Sequence, residues 1–177
     1  QIALGAAVGE AVMGRQIGRK ALLWGGIAGT IPDLDVFVPL GNAVMDFTYH
    51  RAASHSLFVL ALLTPLLVWL VNRIHPQHRD LTKRWAFMLY AVFVTHVLLD
   101  SFTTYGTQIF WPIDNTPVAL STIFIIDPLY TLPLLIGLVI SLVVRRPDRR
   151  RWNTLGLALS TLYAAWSLLA QAYVMTQ

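Results

Sequence analysis

The chain contains no cysteine and has few charged residues. Without thiols it has no disulfides, thiolate nucleophiles or cysteine-based zinc sites, so any bound metal must use nitrogen and oxygen ligands. Only 12% of its 177 residues are charged and 56% are hydrophobic, whereas about 25% are charged in an average soluble domain. This composition predicts an integral membrane protein.

The sequence also lacks any Ser, Gly or Pro-rich linker, which predicts one polytopic membrane domain over residues 1–177. Its formal charge of +4 comes from Arg and Lys in short loops. Basic residues in short loops are typical of contact with anionic lipid headgroups, and they are less typical of a surface that binds nucleic acid. We therefore expect a membrane partner and no nucleic acid.

Apolar stretches close to the roughly 20 residues needed to cross a bilayer predict four transmembrane helices in an all-α protein. Two shorter stretches, residues 2–13 and 21–31, predict an N-terminal pair of short or half-membrane helices. Glycines spaced by four in this pair indicate close helix packing. The predicted spans are residues 56–71, 85–102, 123–144 and 154–175.

The distribution of basic residues predicts the orientation. Residues 73–84 and 145–151 are rich in Arg and Lys, whereas residues 105–122 contain neither. The positive-inside rule makes the two basic loops cytoplasmic and residues 105–122 external. At about 1.5 Å per helical residue, the ionisable groups described next, apart from Glu10, all fall in the outer half of the membrane.

Ionisable residues within apolar segments are functional candidates because they are expensive in lipid. His96 and Asp100 are four residues apart on one face of a predicted helix, which suits chelation of one ion or a hydrogen bond between helices. Pro32 ends the preceding helix, so Asp33 and Asp35 are expected on a turn or extended segment where alternate residues share a side. They are candidate ligands or solvated helix-end residues, and Asp35 is also a candidate general base.

Further candidates lie beside these residues. His50 and His55 flank Arg51, which suits bidentate binding of a phosphate or a salt bridge to one of the aspartates. Ser54 is a candidate cap for the helix near His55. Asp127 precedes Pro128 and is a candidate proton acceptor or a plain helix cap.

Two other groups have less definite roles. Glu10 is a candidate ligand, proton-relay group or partner of Arg15. Thr103 follows the His96 helix and is a candidate for orienting a substrate oxygen or a water molecule.

Together these segments resemble the YdjM-type family of bacterial inner-membrane proteins, in residues 31–35, 50–56, 96–107 and 110–112. The resemblance implies a metal-dependent hydrolase of the plasma membrane. A more distant likeness, through the His-x-x-x-Asp spacing, links it to zinc-dependent phospholipase C and related single-strand nucleases. The ligands implied are Asp33, Asp35, His50, His55, His96 and Asp100.

The resulting prediction is a multi-pass hydrolase that uses zinc or manganese to cleave a phosphoester of a lipid or lipid-linked substrate near the outer leaflet. Arg51 would hold the phosphate, and Asp35 or Asp127 would take the proton. The alternative is a transporter of metal ions or protons, which needs a polar path to both faces, whereas a hydrolase needs one opening. The third hypothesis is a non-catalytic membrane protein in which the polar residues have a structural role.

Overall fold

The computed structural model describes residues 1–38, 51–144 and 148–176. Regular structure in these ranges is helical, apart from one isolated β-bridge between Thr107 and Val118. Short 3-10 turns span Pro32–Phe37, Ala53–His55 and Pro76–Leu81. The α-helices of the described residues are α1 (Ile2–Ile17), α2 (Arg19–Ala28), α3 (Leu57–Ile74), α4 (Thr82–Ser101), α5 (Pro128–Val143) and α6 (Asp148–Met175).

The all-α prediction is confirmed for the described residues, but four clear spans are not. Among these helices, α3 and α6 are long and apolar enough to cross a membrane. Helix α4 has 20 residues but carries Lys83, Arg84 and the polar pair His96 and Asp100. Helix α5 has 16 residues and begins at Pro128 rather than residue 123, so it extends about 24 Å against a hydrocarbon core of about 30 Å.

Helices α1 and α2 form a tightly packed hairpin that turns at Gly18, whose φ of 65° favours glycine. Gly5 faces Gly25 across the hairpin, and a Cβ built on either one overlaps the other's carbonyl oxygen. The predicted role of these glycines in close helix packing is thereby confirmed. The two short helices predicted at the N-terminus are also present.

Adjacent glycines of α2 provide a matched test of this packing. We expect Gly25→Ala to destabilise the protein by about 1–3 kcal/mol, because the new methyl group collides with the Gly5 backbone. Gly26→Ala is the control, since its Cβ would meet nothing closer than 3.6 Å. Thermal unfolding in detergent should show a lower midpoint for Gly25→Ala alone. Equal midpoints would contradict the close approach of α1 and α2.

The buried core lies between α1, α2 and α4, where Met13, Trp85 and Phe93 are fully enclosed. By contrast, α3, α5 and α6 expose large apolar side chains such as Leu62 and Leu169. Exposed apolar faces of this extent suit contact with lipid chains.

Contacts among loops and helix ends assemble one end of the molecule. The backbone N–H of Leu120 donates to the Ser101 carbonyl at 2.7 Å, which holds the 102–127 loop against the end of α4. The N–H of Leu57 donates to the Ile109 carbonyl at 3.0 Å and ties the start of α3 to the same loop. The start of α1 reaches this end too, since Gln1 Nε2 donates to Asp100 at 2.7 Å.

Candidate metal centre

Four side chains from three segments converge at this end of the molecule. Asp33 lies in the 3-10 turn Pro32–Phe37, His55 ends the turn Ala53–His55, and His96 and Asp100 lie one helical turn apart on α4. One ligand atom from each residue lies within 4.8 Å of the other three. Both histidines and Asp100 are almost completely buried, and Asp33 is partly exposed.

Five of the six separations between these atoms are close to the edge lengths of a small tetrahedron. The two histidine Nε2 atoms are 3.3 Å apart. Asp100 Oδ2 lies 3.1 Å from His55 Nε2 and 3.3 Å from His96 Nε2. Asp33 Oδ1 lies 3.5 and 3.4 Å from the same two nitrogens. Tetrahedral bonds of about 2.0–2.1 Å to zinc imply ligand separations of roughly 3.3–3.4 Å, so the dimensions fit an ion of this size.

The other ring nitrogen of each histidine is fixed by a hydrogen bond. His96 Nδ1 lies 3.0 Å from the Gly29 carbonyl oxygen, which can only accept, so Nδ1 carries the proton. Ser54 donates its hydroxyl proton to Asp35 at 2.6 Å and therefore accepts from His55 Nδ1 at 2.9 Å. In the neutral rings both Nε2 atoms are unprotonated and point into the cluster, which is the arrangement of metal-binding histidines.

The cluster therefore needs positive charge at its centre. Two neutral Nε2 atoms and two carboxylate oxygens would otherwise face one another as acceptors only. Protonated imidazoles can supply that charge. Burial raises the pKa of Asp33, but hydrogen bonds from His55 and His96 lower it more, so that it lies well below its ordinary value. A divalent cation would satisfy all four atoms at once, so these residues fit a bound metal ion.

Asp35 lies on the other side of His55 from the cluster. Its Oδ2 accepts from Ser54 and from the Arg51 backbone N–H, and it lies 3.8 Å from His55 Nδ1. The expectation that Asp33 and Asp35 point to one side is wrong, because they belong to a 3-10 turn with about three residues per turn. Asp35 thus contacts the nitrogen of His55 that faces away from the four ligand atoms.

Arg51 joins the cluster from the loop before α3. Its Nη2 lies 3.5 Å from Asp100 Oδ1 and its Nη1 donates to Thr103 at 3.1 Å, while its guanidinium stacks on Tyr105. The Arg51 Nε is buried and has no hydrogen-bond partner among the described residues. Its backbone has a φ of 62°, an uncommon conformation for a residue other than glycine. Residues in such conformations cluster at functional sites.

A cavity of about 440 Å³ opens beside the cluster and is lined by Asp33, Asp100, Arg51 and Asp127. Asp127 caps α5, since its Oδ1 accepts from the Leu129 N–H at 2.9 Å. Its Oδ2 accepts from the Tyr163 hydroxyl at 2.9 Å. The helix-cap reading of Asp127 is thereby confirmed, and the same carboxylate also lines the cavity.

The remaining sequence candidates are His50, Ser54 and Glu10. His50 lies outside the described residues. Ser54 does not cap α3, because Ser56 does so by accepting from the Val59 N–H. Glu10 forms a buried ion pair with Arg149 through bonds of 2.8 and 3.1 Å.

Two contacts at the site, and one ion pair away from it, were not predicted from the sequence. Gln1 donates to Asp100 Oδ1, the Gly29 carbonyl orients His96, and Arg149 neutralises Glu10 from 139 positions away. A backbone carbonyl has no sequence signal. The other two pairs join distant parts of the chain, so local spacing did not indicate them.

Comparison with known proteins supports the resemblance. A profile of the YdjM inner membrane protein family matches residues 1–174. The chain belongs to this family. The YdjM family is a family of inner membrane proteins. In this member, the His/Asp cluster could hold a metal ion.

One curated relative is the uncharacterized protein YfhP of Bacillus subtilis, which is 33% identical over 97 residues. The match covers 55% of this chain and 29% of the relative. The match thus spans less than a third of that relative's length. No solved structure matches the chain at a significant level.

Proposed function

We propose that this protein is a membrane-embedded, metal-dependent hydrolase that cleaves a phosphoester in a lipid or lipid-linked substrate. The observation that carries the proposal is a cluster of four ligand atoms, two of whose residues, Asp33 and Asp100, line the same cavity as Arg51. Two imidazole nitrogens and two carboxylate oxygens at these separations favour zinc, and manganese is the second choice.

Asp33, His55, His96 and Asp100 would hold the metal. A divalent cation held there would lower the pKa of water and polarise a phosphoryl oxygen, provided that one coordination position is open to water as in catalytic zinc sites. The contacts of Asp35 and Ser54 with the Nδ1 side of His55 support an orienting role for both. Gln1 would orient Asp100 in the same way through its 2.7 Å hydrogen bond.

Arg51 would bind the phosphoryl oxygens, because it lines the cavity beside the cluster and a guanidinium suits bidentate binding of phosphate. In hydrolysis the water oxygen bonds to phosphorus, the ester P–O bond breaks, and the leaving oxygen gains a proton. The proton lost by water needs an acceptor. Asp127 is a cavity-lining carboxylate outside the four-ligand cluster, which supports it as that acceptor in preference to Asp35.

The apolar rim of the cavity supports a lipid substrate. Phe124, Ile125 and Val36 line it, and each exposes more than half of its surface. A lipid headgroup could reach the cluster from the bilayer while its acyl chains stay in contact with this rim. We also propose a multi-pass arrangement with the basic loops cytoplasmic and the cluster toward the outer face.

The proposal is tested with purified protein loaded with zinc or manganese and mixed with phosphatidylglycerol and phosphatidylethanolamine vesicles. We expect metal-dependent headgroup release, followed by phosphorus NMR and abolished by a chelator. Arg51→Gln should keep its metal but lose about 100-fold in kcat/KM. This is the usual cost of removing one hydrogen-bond donor that stabilises the transition state. Arg73→Gln, an exposed residue of α3, is the matched control.

Two results would overturn the hydrolase proposal. One is wild-type protein with stoichiometric metal that releases no headgroup. The other is Arg51→Gln protein that is as active as Arg73→Gln. If metal-loaded wild type instead carries labelled zinc across sealed vesicles, the transporter alternative replaces the hydrolase.

A further inference from the structure

A second cavity lies at the opposite end of the helices from the metal cluster. It has a volume of about 890 Å³ and lies between α1 and the first turns of α6. Its α1 residues Glu10 and Arg15 lie about 14 and 21 Å along the helix from Gln1, which contacts Asp100. The two cavities are therefore separate sites.

The second cavity is strongly basic. Four guanidinium groups and one carboxylate line it. Arg149 is buried and pairs with Glu10 through both its Nε and Nη2, so these two charges neutralise each other. Arg15, Arg150 and Arg151 line the cavity besides this pair, and the exposed Asp148 offsets part of their charge at 3.8 Å from Arg151.

The buried ion pair gives the cavity a fixed wall. Arg149 Nη2 also donates to the Gly14 carbonyl at 3.3 Å, which joins the start of α6 to α1. A Cβ on Gly14 would overlap the Glu10 carboxylate, so the glycine leaves room for the pair. The first turn of α6 adds the partial positive charge of a helix N-terminus to this wall.

An apolar strip continues from the basic wall along α6. Leu155 and Ala158 line the cavity and belong to the exposed face of this helix, which is long enough to cross a membrane. A cluster of guanidinium groups directly above an apolar, lipid-directed strip matches the two parts of a phospholipid. A soluble anion would use only the first part.

We propose that this cavity binds an anionic phospholipid from the leaflet at the basic end of the protein. Arg150 and Arg151 contact the headgroup phosphate, and an acyl chain lies along Leu155 and Ala158. The site is independent of the proposed hydrolase activity, since it lies at the other end of α1 and shares no lining residue with the first cavity.

Native mass spectrometry of delipidated protein in detergent tests the proposal, with phosphatidylglycerol and phosphatidylcholine of identical acyl chains as probes. We expect wild type to prefer phosphatidylglycerol. The double variant Arg150→Gln/Arg151→Gln should bind it about 25-fold more weakly, at about fivefold for each cation removed. The matched control Arg73→Gln/Arg79→Gln removes two exposed cations outside the cavity and should bind like wild type.

The proposal fails if the two double variants bind phosphatidylglycerol equally, because the preference would then reflect overall charge. It also fails if wild type binds both lipids alike. Competition with inorganic phosphate is the third test. If millimolar phosphate displaces phosphatidylglycerol from wild type, the cavity binds a soluble anion and the lipid assignment is wrong.

Discussion

Replacing His96 by alanine is expected to weaken metal binding by more than about 100-fold, because the variant loses one of four ligand atoms. Changes to residues that only orient ligands usually cost 10–100-fold, and loss of a ligand should exceed that range. Asp100→Asn should have a similar effect, since Asp100 Oδ2 approaches both imidazoles within 3.3 Å. Metal content per protein, measured by inductively coupled plasma mass spectrometry after purification, is the readout.

Matched controls separate loss of a ligand from a change of charge. His78→Ala and Asp80→Asn alter the same residue types in the Pro76–Leu81 turn, outside the cluster, and should keep the wild-type metal content. Asp35→Asn should reduce affinity by only about 10–100-fold if Asp35 orients His55. A loss as large as that of His96→Ala would instead support the sequence-based prediction that Asp35 is a ligand. Metal-free wild type after growth with added zinc and manganese would contradict the site altogether.

Replacing Arg149 by methionine is expected to lower the free energy of unfolding by about 3–5 kcal/mol, the usual cost of breaking a buried ion pair from one side. Arg149 is 5% exposed and Glu10 is 1% exposed, so the carboxylate would stay buried with less positive charge around it. The variant also loses the bond to the Gly14 carbonyl that joins α6 to α1. Thermal unfolding in detergent without added lipid measures the effect.

The neighbouring residue supplies the control. Arg150→Met removes the same charge from the same helix without touching the Glu10 pair, and should change stability by less than about 1 kcal/mol. Adding Glu10→Gln to Arg149→Met should recover part of the loss, because the buried charge is removed as well. Equal unfolding midpoints for Arg149→Met and Arg150→Met would show that the pair does not join these helices.

Some properties of the site follow from local geometry and could be predicted. His96 and Asp100 share a helix face because residues four apart in any α-helix do so. The positions of Asp33 and Asp35 could not be predicted in the same way. An extended segment would point both to one side, whereas the observed 3-10 turn directs Asp33 to the cluster and Asp35 to the far side of His55.

Composition and hydropathy alone determined the helical class, the membrane setting and the absence of any cysteine chemistry, since these depend on residue types and their local period. Only the tertiary structure decided which ligand atoms meet, which histidine nitrogen carries a proton and which cation neutralises Glu10. These outcomes depend on how α1, α4 and α6 and the turns between helices pack together. Packing is set by contacts between distant residues, such as Glu10 and Arg149, for which a single sequence has no periodic signal.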